Sequence, residues 1–385
     1  MVIMFQRRIE LPRTSFFLMG PRGTGKSTWI RTSLGGASFV DLLDEARFQS
    51  YLADPSLFGA EVRTLPRGSW VVVDEIQRLP SLLNEVHRAM EEQKLKFALT
   101  GSSARKLRRG GTNLLGGRAH ELTMYPFVPE ELGKQFRLER ALEQGTLPLV
   151  WDSEEPAHTL RAYVEMYLKE EIQAEALVRN LPGFARFLPI AGLMHGQTMN
   201  IAALARDAGV ARQTIAGYVQ ILHDTLVATT LGAFEAKLRV RERSHPKLYW
   251  FDSGIVRALK HQTGTVSPEE RGALLEGFVF MLLRFYQERT ELFSNMGYWA
   301  PREAATTEVD FVLARGKELL AIEVKATQQL RPADLRGLRA IAELRGLVRR
   351  VLVFLGPRAL KTPDGVDVLP LAEFAKRLQL GTLWP

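Results

Sequence analysis

The octapeptide Gly20-Pro21-Arg22-Gly23-Thr24-Gly25-Lys26-Ser27 limits what this chain can fold into more than any other stretch. It has the form G-x-x-x-x-G-K-[ST], a P-loop. Glycines at these places let backbone N–H groups turn inward and wrap phosphate oxygens with no Cβ in the way. Lys26 is placed to reach the β- and γ-phosphates, and Ser27 to offer its hydroxyl to Mg²⁺. A helix beginning at Lys26 to Thr28 adds its positive N-terminal end to the same anion site. The motif requires a strand before it and a helix after it. Ser15–Met19 is an apolar, strand-like run, and Ser27–Thr32 can begin a helix. The competing reading is a glycine-rich turn that matches by chance, and a second motif weighs against it.

That motif is Ser69-Trp70-Val71-Val72-Val73-Asp74-Glu75, a β-branched run that ends in two acids, as a Walker B strand does. Asp74 falls at the C-terminal end of the strand, where open α/β sheets place ligands. There it can hold magnesium together with Ser27, directly or through water. Glu75 is then positioned to polarise an attacking water as general base. The alternative is an acidic cap that opens a helix over Ile76–Met90. Paired with the upstream loop, the acids point to hydrolysis of ATP or GTP. Two more strands are expected, at Ala37–Leu42 and at Lys96–Thr100, the latter followed by Gly101-Ser102-Ser103. Ser102, or alternatively Thr100, can touch both the γ-phosphate and the water; Ser102 can equally cap a helix over Ala104–Arg109. Arg118 immediately precedes a further apparent strand, Ala119–Tyr125.

With these motifs the chain resembles a prokaryotic AAA+-type ATPase family whose members carry a C-terminal domain related to PD-(D/E)XK nucleases. The resemblance is carried by Gly20–Ser27, Val73-Asp74-Glu75-Ile76-Gln77, Leu99-Thr100-Gly101-Ser102-Ser103 and Leu115-Gly116-Gly117-Arg118. It implies a central P-loop strand with the Lys96–Thr100 strand between it and the Walker B strand. It puts Ser102 in the sensor-1 position and Arg118 where an arginine finger reaches a neighbouring subunit's γ-phosphate. A guanidinium suits that role because it is permanently charged and forked. Arg118 as a sensor in its own subunit, or as a surface arginine, stays open. A finger acting between subunits implies a homo-oligomer, a hexameric ring being one form. Adenine over guanine rests on the resemblance alone.

Composition narrows the remaining classes. The chain has 385 residues, enough for two to four domains. It has no cysteine, so a disulfide framework, a thiolate nucleophile and a cysteine-ligated zinc are all excluded. The net charge of +8 favours an acidic partner. No apolar run is long enough for a membrane span, and the expected location is the cytoplasm.

Downstream, the expected order is an ATPase core over 1–125, a helical lid or connector over 126–195, a winged helix over 196–255 and a nuclease-like domain over 256–385. Helices are expected over Pro129–Glu143 and Pro156–Asn180. In Asn200–Ile215, Ala205 is small where two helices must meet, and Gly209 stands where a tight turn needs φ > 0. The second helix would present Arg212, Gln213 and Thr214 at its N-terminal end, where a recognition helix contacts DNA. Arg239, Arg241, Arg243 and Lys247 form a basic wing for phosphate contacts. A structural joint or a protein contact is the alternative use of such a module.

The last segment reads as αβββαβ. Asp310, Glu323 and Lys325 make a D…E-x-K constellation on two strands joined by the turn Arg315-Gly316-Lys317. Period two puts Glu323 and Lys325 on one strand face. Asp310 and Glu323 would bind Mg²⁺, Glu276 on the preceding helix could add a ligand, and Lys325 would orient the attacking water. A solvated Lys–Glu strand face, or a nuclease fold that binds without cutting, are the alternatives. The α/β chain as a whole is expected to be an ATP- and Mg²⁺-dependent motor on duplex or branched DNA, with cleavage an open question. The alternative is a nucleotide-dependent regulatory or defence switch whose C-terminal domain binds DNA or a protein without cleaving.

Overall fold

The computed structural model describes residues 5–103, 118–168, 181–236, 243–302 and 307–384. It divides into two compact units, one of Met1–Leu132, Leu147–Arg179 and Val219–Val227, the other of Gly133–Thr146, Asn180–Tyr218 and Ala228–Pro385.

The first unit is built on a five-stranded sheet of β1 (Phe16–Met19), β2 (Ser38–Asp41), β3 (Trp70–Asp74), β4 (Lys96–Gly101) and β5 (His120–Thr123). All neighbours are parallel. The order β2-β3-β4-β1-β5 has the P-loop strand β1 between β4 and β5, and β4 between β1 and β3, as expected. A parallel sheet is covered on both faces, so its strands read as continuous apolar runs. Alternate residues then divide between two cores. Phe17, Met19, Val71, Val73, Phe97 and Leu99 enter one core. Phe16, Leu18, Val72 and Ala98 enter the other, against Trp29 and Ile30. The helix expected over Ile76–Met90 is divided at Pro80: a single 3₁₀ turn spans Ile76–Arg78, and the α-helix runs Leu82–Glu92. Of the helix expected over Pro156–Asn180, Pro156–Ala162 is α-helical and Tyr163–Leu168 widens to a π-helical turn; the remainder lies outside the described residues.

The second unit contains the helix Ile201–Ala208 and, up to Tyr218, the helix Arg212–Asp224. Asn200 accepts hydrogen bonds from the N–H groups of Ala202 and Ala203 and so caps the first helix. Gly209, with φ 63°, ends it in the left-handed conformation. A small antiparallel sheet of β6 (Gln197–Thr198), β7 (Ala228–Leu231) and β8 (Lys247–Trp250) follows the order β6-β8-β7. The larger sheet holds β9 (Asn295–Trp299), β10 (Val309–Arg315), β11 (Glu318–Lys325), β12 (Leu347–Phe354), β13 (Leu360–Lys361) and β14 (Asp367–Pro370), in the order β13-β14-β12-β11-β10-β9. The long helix Pro268–Thr290 precedes it, its start fixed by a capping box between Ser267 and Glu270. The helix expected near 332–344 is shorter, a 3₁₀ turn at Pro332–Leu335 followed by Arg336–Ala340. Beyond the expected αβββαβ order come β13, β14 and the helix Leu371–Gln379.

Candidate functional site

The P-loop follows β1. Gly20 has no room for a side chain, since a Cβ there would stand 2.6 Å from the carbonyl oxygen of Met124. Gly23 and Gly25 have φ of 76° and 87°, left-handed values that glycine adopts without strain. The loop's carbonyls are taken by the protein. Lys26 Nζ donates to Gly20 O at 2.7 Å and to Pro21 O at 3.0 Å. Tyr163 OH donates to Arg22 O, Leu149 N–H to Gly23 O and Arg7 Nη1 to Thr24 O. Thr24 Oγ1 adds a bond back to Pro21 O. A loop whose carbonyls are held this way presents its N–H groups to an anion. The helix Lys26–Ser33 begins there with no side-chain cap and no acid in its first turn, so its N-terminal dipole is not neutralised. Ser27 is half-buried and Thr28 exposed on that first turn.

The acids lie at the C-terminal ends of the adjacent strands. Gly20 N–H donates to Gly101 O, which brings the start of the loop against the end of β4, and β4 pairs with β3. Asp74 is buried and accepts the Thr100 hydroxyl; Thr100 Oγ1 in turn accepts the Glu75 N–H at 3.1 Å. Glu75 adopts φ 59° and ψ 43°, a left-handed conformation that costs a non-glycine residue about 1–3 kcal/mol. Its Oε2 accepts Gln77 Nε2 and, at 3.3 Å, Ser102 Oγ, while Gln77 Nε2 also reaches Ser102 Oγ at 2.9 Å. Ser102 therefore braces the Glu75 carboxylate and Thr100 braces Asp74. The hard oxygens of Ser27 and Asp74 suit Mg²⁺.

Two features here escaped the sequence reading. Gln77 was quoted but given no role. Arg7 was passed over: it is pinned by Glu131 at 3.1 Å, by the carbonyls of Thr24 and Tyr125, and by the ring of Phe127 at 4.8 Å. It ties the N-terminal segment to the P-loop. Beside it, a cavity of about 470 Å³ is lined by Phe5, Arg7, Gly25, Thr28, Trp29 and Phe127, among others. It opens onto the first turn of the P-loop helix and has the size and apolar lining of a small-molecule pocket. The Glu131 side chain is fully buried, so Arg7→Ala removes its cationic partner and leaves the charge to the N–H groups of Arg8 and Val128. The expected loss is about 3 kcal/mol of stability, read by denaturant unfolding. An unchanged midpoint would show that this pair does not hold the loop.

Arg118 is not brought to this site. It lies before β5, whose His120 pairs with Phe16 and whose Thr123 pairs with Met19, so it sits at the strand end opposite the P-loop. The separation along the strands is roughly 17–20 Å at about 3.3 Å per residue, beyond the reach of its side chain. Its guanidinium is half-exposed and pairs with Glu91 at 2.7 Å. Its guanidinium therefore stands apart from the P-loop and the two acids of its own chain.

In the second unit, Arg212 and Gln213 are exposed and Thr214 half-buried at the start of their helix. Arg239 and Arg241 lie outside the described residues. Arg243 is half-buried, and its N–H donates to Ala300 O. Lys247 requires a correction. Expected on an exposed wing, it is 2% exposed. Its Nζ lies 2.9 Å from Glu276 Oε1 and 3.6 Å from Asp310 Oδ1, and in direct contact with Glu308 Oε1. An ammonium enclosed in this way is not a phosphate contact.

The D…E-x-K residues do converge. Asp310 Oδ2 accepts the Val324 N–H at 2.8 Å, and Lys325 Nζ pairs with Glu323 Oε1. Burial, and then the Asp310 charge, pushes Glu276 up to about 7 and Glu323 well above the usual carboxylate range. Burial pulls Lys247 down, but Glu276 and its neighbours outweigh it and hold the ammonium charged. The carboxylates that come within 4.8 Å of one another are those of Glu276, Glu308 and Asp310, not the expected Glu276, Asp310 and Glu323. Glu308, two residues before Asp310, was missed. A metal does not fit these residues as they stand, because Lys247 supplies the cation among them.

Three family models match the chain. Residues 12–133 match an AAA domain, residues 135–266 a domain of unknown function (DUF8612), and residues 271–374 a domain of unknown function (DUF4143). The chain is similar to an uncharacterized protein of Mycobacterium tuberculosis, Rv2008c, with 26% identity over 92% of this chain and 79% of the relative, and equally to Mb2031c of Mycobacterium bovis. Among solved structures it is similar to the Aeropyrum pernix ORC1 protein in complex with DNA, with 14% identity over 66% of this chain and 88% of that one and a TM-score of 0.30. It is also similar to protein VC1899 from Vibrio cholerae, with 13% identity over 96% of both chains and a TM-score of 0.23. Together with the P-loop, the two acids and the strand order, the family match shows that residues 12–133 form a P-loop ATPase domain of the AAA type.

Proposed function

We propose that the chain hydrolyses ATP at this site and couples hydrolysis to work on DNA. The observation that carries the first part is the convergence of the P-loop, Asp74, Glu75 and Ser102 at one edge of the parallel sheet. ATP phosphates lie on the loop, and Lys26 exchanges its bonds to Gly20 O and Pro21 O for β- and γ-oxygens. Ser27 and Asp74 would hold Mg²⁺, which when bound neutralises charge on those oxygens. Glu75 polarises the attacking water. Both bonds from Gln77 and Ser102 go to its Oε2, so Oε1 is the oxygen for the water. The cavity beside Phe5 and Phe127 takes the base. Arg118, apart from the site of its own chain, serves the site of a second copy, so the active form is a homo-oligomer.

The second part is supported by the exposed Arg212 and Gln213 at the start of the second helix of a capped pair. With β7 and β8 this pair reads as a winged helix. Arg212→Ala together with Gln213→Ala should weaken duplex binding and lower the salt slope of log K by about 1. Fluorescence anisotropy across a salt series reads both. Unchanged affinity and slope would make the helix pair a structural joint.

The element order αβββαβ and the Asp310, Glu323 and Lys325 cluster support a restriction-endonuclease-like fold for the last domain. Lys247 among the acids favours the reading in which that domain binds without cutting, and no cleavage step is assigned to it.

A further inference from the structure

Glu276 comes from the long helix, Glu308 from the residue before β10, Asp310 from the start of β10, and Lys247 from β8 of the other sheet. The three carboxylates offer oxygens within 4.8 Å of one another. Three hard oxygens this near one another are the donor type that a divalent cation such as Mg²⁺ takes. The Lys247 ammonium contacts all three carboxylates. Its side chain is 3% exposed, and on the same strand face Tyr249 gives its hydroxyl to Glu276 Oε1. Lys325, the lysine of the E-x-K pair, is paired with Glu323 instead. The other oxygen of that carboxylate, Glu323 Oε2, is buried with no hydrogen-bond partner.

We infer that Lys247 is the resident cation of this acidic site and that it closes the site to divalent metal. Lys247 Nζ already lies against an oxygen of each of the three carboxylates, so an ion bridging them would compete with it for the same place. Lys247 also has the advantage of attachment. It competes as an intramolecular ligand, while Mg²⁺ must shed water and come from bulk solution. The inference stands on the second unit alone and does not depend on ATP hydrolysis or on DNA engagement.

The test is a Mn²⁺ titration of the full, nucleotide-free chain, followed by the loss of the free-ion electron paramagnetic resonance signal. The wild-type chain is expected to show no saturable binding that Asp310→Asn removes. Lys247→Met keeps the length and apolar stem of the side chain and should bind one Mn²⁺ per chain at least about tenfold more tightly, with Asp310→Asn in the same chain abolishing the gain. Lys247→Gln is the second variant should the methionine disturb folding, which circular dichroism reports. Saturable wild-type binding that Asp310→Asn removes would overturn the inference without any Lys247 variant. A folded Lys247→Met or Lys247→Gln chain that binds Mn²⁺ no better than wild type would also overturn it.

Discussion

Glu75→Gln is expected to retain ATP and lower turnover by about 10²–10⁴-fold, the range for removing a general base. The amide keeps the shape of the side chain and can still meet Gln77 and Ser102, so the left-handed backbone at Glu75 and the bond from its N–H to Thr100 should survive. What is lost is the negative oxygen facing the water. Single-turnover hydrolysis and ATP binding by calorimetry separate the two effects. Full turnover in the variant would show that another group activates the water. The same variant tests Arg118. Glu75→Gln subunits carry an intact Arg118, and Arg118→Ala subunits carry an intact Glu75. Each alone should be inactive, and mixing them should restore part of the activity if the guanidinium acts between copies. A mixture as inactive as its components would remove Arg118 from the mechanism.

Lys26→Ala is expected to abolish nucleotide binding at ordinary concentrations. Lys26 is buried and its ammonium is already gathered against Gly20 O and Pro21 O, so it supplies the loop's only lysine charge where the phosphates lie. Charge-assisted hydrogen bonds contribute about 1.5–3 kcal/mol, a factor of about 10–150 in affinity, and the alanine also leaves those two carbonyls short of a donor. Calorimetry with ATP reads the loss. Unchanged affinity would remove the P-loop assignment, and with it the account of the first unit.

The ATPase core was legible because its signals are local. A parallel strand buried on both faces spells itself out as Phe16–Met19 or Val71–Val73, and the P-loop and Walker B acids are contiguous with those strands. Arg7 was not legible, because its role is made by Glu131, which is 124 residues away, and by the carbonyls of Thr24 and Tyr125. Lys247 was misread for the same reason. Beside Arg239, Arg241 and Arg243 it looks like part of an exposed basic run. Its burial is decided by acids from a helix and a strand that follow it in the chain. Glu308 was hidden because an acid just before a strand usually faces solvent, and its partner Lys247 lies 61 residues earlier in the chain. Helix ends failed where one residue interrupts an otherwise helical pattern, as Pro80 does before Leu82 and as Gly133 does, with φ 52°, between Pro129–Leu132 and Leu138–Gln144.

The most direct measurement of coupling to DNA is the ATPase rate without DNA and with duplex, single-stranded and four-way-junction DNA, at two salt concentrations. At least one DNA form is expected to raise the rate severalfold, the stimulation to fall as salt rises, and Lys26→Ala to remove all of the activity. A rate that is the same with and without every DNA form would contradict the coupling, and would leave a nucleotide switch that answers to a protein partner.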